Sequence, residues 1–120
     1  SVMNTNDCAP KTKQGEVLIE EGGASDCMYL LKEGTLAVFK QTTDGQKQIG
    51  TIYPGEFVGE VSFLDNRPRC ATVKSIGESE VEVFDAHKFQ AFLYSQPKWL
   101  QTMMRTLADR LRTTNEKIKV

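Results

Sequence analysis

Thr35-Leu36-Ala37-Val38-Phe39-Lys40-Gln41-Thr42-Thr43-Asp44-Gly45-Gln46-Lys47-Gln48-Ile49-Gly50-Thr51-Ile52 is the stretch that decides the fold class. From Thr35 to Lys40 apolar and polar residues alternate, as in a strand with one buried face. That period of two puts Leu36 and Val38 on the same side. Asp44-Gly45 is a hairpin signal between this run and a second β-rich run at 48–52.

The same texture extends in both directions. Upstream lie β-rich runs at 16–20 and 27–32; downstream lie 71–76 and 80–84, the last with Val81 and Val83 on one face. Turn residues separate them: Gly22-Gly23, Glu33-Gly34, Pro54-Gly55 and Gly77. Pro-Gly in particular predicts a tight type II turn, because proline presets the second position and glycine accepts the positive φ of the third. Short strands so spaced, with no helix-length segment between them, predict a sandwich or barrel rather than a parallel α/β sheet.

After Asp85 the period changes. Asp85 is placed as an N-cap for a helix over 86–95, where Phe89, Phe92 and Leu93 recur at helical spacing. Pro97 suits the start of a longer helix running to about 117. Its apolar positions Leu100, Met104, Leu107, Leu111 and Ile118, with Thr114 in the gap, form a short heptad seam. The expected organisation is an N-terminal arm or linker at 1–14, a barrel at 15–85, and C-terminal helices at 86–120.

Bulk composition narrows the function. One domain's worth of chain, 120 residues with 39% hydrophobic and 26% charged, can bury one core unaided. Fifteen basic residues against sixteen acidic ones leave a net charge of −1, so this segment has no field to attract nucleic acid. Nor does any apolar run reach the ~20 residues that span a bilayer, and no signal segment opens the chain. Neither nucleic-acid nor membrane binding is expected of it. Cys8, Cys27 and Cys70 are widely spaced with no CxxC pair, which reads as neither a disulfide framework nor a zinc site and fits a reducing cytoplasm. The start at Ser1 rather than Met reads as a piece of a longer protein.

Chemistry concentrates between Pro54 and Val73, in Pro54-Gly55-Glu56-Phe57-Val58-Gly59-Glu60-Val61-Ser62-Phe63-Leu64-Asp65-Asn66-Arg67-Pro68-Arg69-Cys70-Ala71-Thr72-Val73. These residues have the makings of an anion cradle. Gly59 permits close backbone approach. A short helix from Glu60 would present unpaired N–H groups, and Arg69 adds a permanently charged fork. Cys70 and Ala71 are small enough to let a ligand reach their backbone. Glu60 would repel an anion directly, so its natural partner is a hydrogen-bond donor such as a sugar hydroxyl. Phosphate plus ribose hydroxyl means a nucleotide.

At this point the segment resembles the phosphate-binding cassette of the cyclic-nucleotide-binding family. Gly59-Glu60, Leu64 and Pro68-Arg69-Cys70-Ala71-Thr72-Val73 fall in that pattern, with Val58 replacing the family's aromatic residue. Gly22, Tyr29 to Leu31, Gly34, Val38, Gly55 and Phe57 match the wider framework. The resemblance implies a mainly β fold: an antiparallel β-roll, jelly-roll-like, with a short cassette helix and two trailing α-helices. It implies that Glu60 holds the ribose 2′-hydroxyl and Arg69 the exocyclic phosphate oxygens, with backbone N–H groups of Ser62 and Cys70 completing the cage. Val61 and Ala71 line the same site. The ligand implied is cAMP, with cGMP as the alternative. Cys70 leans towards cAMP, because at that position the family carries Ala for cAMP and Thr for cGMP, and a thiol imitates Ala better.

No catalytic group, metal or cofactor is expected. A lone His87 cannot supply a cupin metal site, three scattered cysteines cannot hold an iron–sulfur cluster, and no nucleophile elbow is present. The expectation is a regulatory sensor whose trailing helices transmit ligand binding to an effector not visible in this chain. The same resemblance points to a homodimer through the last helix. A barrel kept for protein contact and a sensor of another small anion are the alternatives. Arg67, Glu56 and His87 read as exposed. For Trp99 core packing is favoured over a lid above the base.

Overall fold

The computed structural model describes residues 13–24, 26–59 and 67–117, with only the backbone of 115–117. Seven strands are found among them: β1 Val17–Ile19, β2 Cys27–Glu33, β3 Leu36–Thr42, β4 Gly45–Ile52, β5 Phe57–Val58, β6 Thr72–Ser75 and β7 Glu80–Asp85. Two helices follow, α1 Ala86–Tyr94 and α2 Lys98–Lys117. The strands form two antiparallel sheets, ordered β1-β6-β3-β4 and β5-β2-β7. This is the mainly β roll with two C-terminal helices that the sequence predicts. The cassette helix falls outside the described residues.

Local chemistry explains the joints. Thr42 pairs with Gly45, so the β3–β4 loop is Thr43-Asp44, and Thr42 Oγ1 braces it by donating to the Gly45 carbonyl at 2.6 Å. In the Pro54-Gly55 turn Glu56 N donates to Tyr53 O at 3.1 Å with Gly55 at φ 92°, as a type II turn requires. The two-residue β5 that follows is too short for alternation to reveal it. Asp85 caps α1, its carboxylate accepting from Lys88 N at 3.1 Å.

Between the sheets lies a core of Leu18, Ile19, Tyr29, Leu31, Leu36, Val58, Val73, Val81 and Val83, with Val38 packed against it. Leu36 and Val38 therefore share the inner face, as do Val81 and Val83. On α2 the heptad seam divides. Leu100 and Met104 are half-buried and continue in register with buried Ala108 and Arg112, whereas Leu107 and Leu111 are exposed. Steps of four select the packed stripe, and the exposed residues Trp99, Met103, Leu107 and Leu111 form a second stripe beside it. Trp99, 67% exposed, is not a core residue. Ile118 lies outside the described residues.

Candidate functional site

Gly59 and Arg69 meet. Arg69 is buried at 7% exposure and turns its guanidinium inward. Nη2 donates to the Cys27 carbonyl at 2.6 Å and Nη1 to the Gly59 carbonyl at 3.2 Å. Gly59 sits at φ 86°, and a Cβ there would stand 2.7 Å from Arg69 Nη1 and 3.0 Å from Ile19 Cδ1. Only glycine meets both the backbone and the space requirement. The two residues that the sequence singled out ten positions apart are thus fitted to one another.

Arg69's backbone is held as firmly as its side chain. Its N–H donates to Gly23 O at 2.9 Å and its carbonyl accepts from Gly22 N at 2.8 Å. The Gly22-Gly23 turn after β1 thus pairs with the segment that leads into β6. Cys70 follows, half-buried and not in a disulfide, then buried Ala71 at the entrance to β6. Cys27 is disulfide-bonded, which goes against the expectation that these widely spaced cysteines form no disulfide framework and fit a reducing compartment. Glu60, Val61 and Ser62, with Leu64, lie outside the described residues.

Two groups near Arg69 are not among the site residues expected from the sequence. Tyr29 on β2 is buried with its hydroxyl 3.1 Å from Cys27 Sγ. Burial pushes its ionisation above the ordinary tyrosine range, and the positive charge of Arg69 pulls part of that back. The second is Lys40, buried at the inner face of β3, whose Nζ donates to the Cys70 carbonyl at 2.6 Å. Alternation did contain that signal, since Leu36, Val38 and Lys40 are two residues apart.

Arg67 and His87 are exposed, as expected. Glu56 is exposed too, and its carboxylate accepts from Tyr53 N at 2.7 Å within the turn. From the other side, α2 reaches the same loop: Arg112, 6% exposed, donates from Nη1 to the Pro68 carbonyl at 3.1 Å. Among the described residues no three His, Cys, Asp or Glu side chains gather into a metal-holding group. No described helix is long and apolar enough to cross a membrane.

Known proteins share the sequence pattern and the fold. A model of the cyclic nucleotide-binding domain matches residues 10–96. The cAMP-dependent protein kinase regulatory subunit of Dictyostelium discoideum is 30% identical over 98 residues, covering 78% of this chain and 30% of that protein. A CRP-like cAMP-activated global transcriptional regulator of Mycobacterium tuberculosis is 27% identical over 106 residues, covering 88% of this chain and 47% of the regulator. The chain therefore spans less than half the length of either relative. In fold it is similar to the cAMP-bound EAL enzyme Bd1971, with TM-score 0.81 at 24% identity over 88% of this chain and 28% of that one. The Thermus thermophilus catabolite activator protein gives TM-score 0.69 at 24% identity, over 88% of this chain and 50% of that one. With the Gly59–Arg69 pair set in a two-sheet roll and the family match covering most of the sequence, the chain belongs to the cyclic nucleotide-binding domain family.

Proposed function

We propose that this chain is a cAMP sensor, with cGMP as the weaker ligand, that regulates an attached or partner effector and catalyses nothing itself. The observation that carries this reading is the buried Arg69 guanidinium seated against Gly59. A planar fork with five N–H donors can brace backbone carbonyls and still take a phosphate edge. In this reading Arg69 binds the exocyclic phosphate oxygens and Glu60 the ribose 2′-hydroxyl. The backbone N–H groups of Ser62 and Cys70 complete the cage, lined by Val61 and Ala71. The family is a regulatory binding domain; one named relative is the regulatory subunit of a cAMP-dependent protein kinase and the other a cAMP-activated transcriptional regulator.

Transmission is supported by the bond from Arg112 to Pro68, the residue before Arg69. Any ligand-driven shift of 68–69 changes the seat of α2, and a ligand shifts α2 only through different affinities for its two positions. The exposed stripe of Trp99, Met103, Leu107 and Leu111 supports homodimerisation through α2. A cytoplasmic location goes with this role, as do the expectations of no nucleic-acid and no membrane binding by the segment itself.

Calorimetric titration with cAMP, cGMP and AMP tests the reading. The expected order is cAMP, then cGMP, with AMP far weaker. Heat from none of the three would overturn it and leave the barrel as a protein-contact module or a sensor of another anion.

A further inference from the structure

We propose that Lys40 and Glu21 are a positioning pair that aims the backbone amide of Ala71 at the bound anion. The inference rests on the cyclic-nucleotide reading above. Lys40 occupies an inward position of β3, in line with Leu36 and Val38, where an apolar residue would ordinarily sit. A buried ammonium is costly to desolvate, and an apolar residue of similar volume often serves stability as well or better. A charge where the strand pattern asks for an apolar group therefore points to a site.

The contacts show what this charge holds. Nζ donates to the Cys70 carbonyl at 2.6 Å and lies 3.7 Å from Glu21 Oε2. Glu21 is itself fixed: Oε1 accepts from Gln41 N at 3.0 Å, and its N–H donates to Thr72 Oγ1 at 3.0 Å. The neighbouring Gly22 and Gly23 bond the backbone of Arg69 in both directions. Residues 69, 70 and 72 are thereby tied to 21–23 and to Lys40, a clamp along one side of the segment that enters β6.

Ala71 gains its direction from peptide geometry. The bond between Cys70 and Ala71 is trans, as are all described peptide bonds, so its carbonyl and N–H point in opposite directions. Fixing the Cys70 carbonyl on Lys40 fixes the Ala71 N–H away from Lys40. A carbonyl that accepts from an ammonium also polarises its own amide, which makes that N–H a stronger donor. Lys40 thus acts on the anion through the peptide, without touching it.

The test titrates cAMP into the wild-type chain, Lys40→Met, Lys40→Arg and Glu21→Gln, with melting temperatures and the ligand-induced shift of the Ala71 amide proton recorded for each. Lys40→Met is expected to weaken cAMP roughly tenfold or more, the size of one charge-assisted hydrogen bond, and to lose most of the Ala71 shift. Lys40→Arg should recover part of both, and Glu21→Gln should fall between wild type and Lys40→Met. Wild-type affinity and an unchanged Ala71 shift in Lys40→Met would overturn the pairing while leaving the nucleotide site intact. If Lys40→Met does not fold, the same two results in Glu21→Gln overturn it. A wild-type chain that binds no cyclic nucleotide overturns the proposed function, and this inference with it.

Discussion

At the centre of the sandwich Leu31 and Leu36 are fully buried among apolar neighbours, whereas the buried groups that meet the backbone or sulfur of Cys27, Gly59 and Cys70 are Arg69, Lys40 and the hydroxyl of Tyr29. Both regions are closely packed, but for different reasons. The apolar centre is interchangeable chemistry, where volume and shape decide stability. The polar region spends desolvation free energy on groups that apolar residues could replace without loss of fold. On the proposed function, stability and ligand binding fall to different parts of one small roll. They should therefore respond to different mutations.

Leu36→Ala is the largest expected effect, and it falls on stability. Truncating a fully buried leucine costs about 2–5 kcal/mol, depending on how far the walls relax. Urea unfolding should register that loss, while cAMP affinity measured well below the transition should stay close to wild type. A proportionate fall in affinity would break the division between the two regions.

Arg69→Ala is expected to reverse the ranking. Loss of the charge-assisted fork should cost about 1.5–3 kcal/mol of cyclic-nucleotide binding, read by calorimetry. Exposed Arg67, two residues away, is the control, and Arg67→Ala should leave affinity nearly unchanged. Equal effects from both substitutions would mean that general positive charge, not the seated guanidinium, attracts the ligand.

Arg112→Ala removes the bond from α2 to Pro68 and should cost about 1 kcal/mol of stability, the worth of one hydrogen bond. Its sharper signature is in hydrogen exchange. In the wild-type chain, cAMP should alter protection over α2 as well as around Arg69; in Arg112→Ala the change should stay near Arg69. Unaltered transmission in the variant would place the coupling in another contact.

The sequence was informative wherever one residue or a short pattern sufficed. Asp85 had to cap something, Pro54-Gly55 had to turn, and Leu36 with Val38 had to face inward. β5 was invisible because Phe57–Val58 is only one period of alternation long, and one period cannot repeat. The division of α2 into packed and exposed stripes was hidden because heptad spacing and an i, i+4 stripe share Leu100 and Met104, then separate at Leu107 and Ala108. At the site, Gly59 and Arg69 could be named from motif alone. Lys40 continues the inward series, but a lysine that ends an alternating run is ordinarily solvated, so the pattern alone does not mark it. Its partner, the Cys70 carbonyl, is 30 residues away, and no local pattern encodes that contact.

Tyr29 offers the smallest effect and the finest test of the polar region. Burial raises its ionisation above the ordinary range, and Arg69 partly opposes that rise. In the unfolded chain the phenol releases its proton near its ordinary value of about 10. Above that pH the unfolded state has lost a proton that the folded state still holds, so folding stability declines as pH rises. The contribution is complete below pH ~10 and is lost as pH climbs through the raised folded-state value. Tyr29→Phe deletes the titrating group and should flatten that part of the decline. Every other ionisable group is common to both proteins and cancels in the comparison. Urea midpoints from about pH 8 to about pH 11 should therefore fall more steeply for wild type than for Tyr29→Phe. Parallel curves would mean that the hydroxyl ionises as freely in the fold as outside it. Adding Arg69→Ala to both proteins should widen the gap, since it removes the charge that favours the phenolate; a narrower gap would show that Arg69 and Tyr29 do not sense one another.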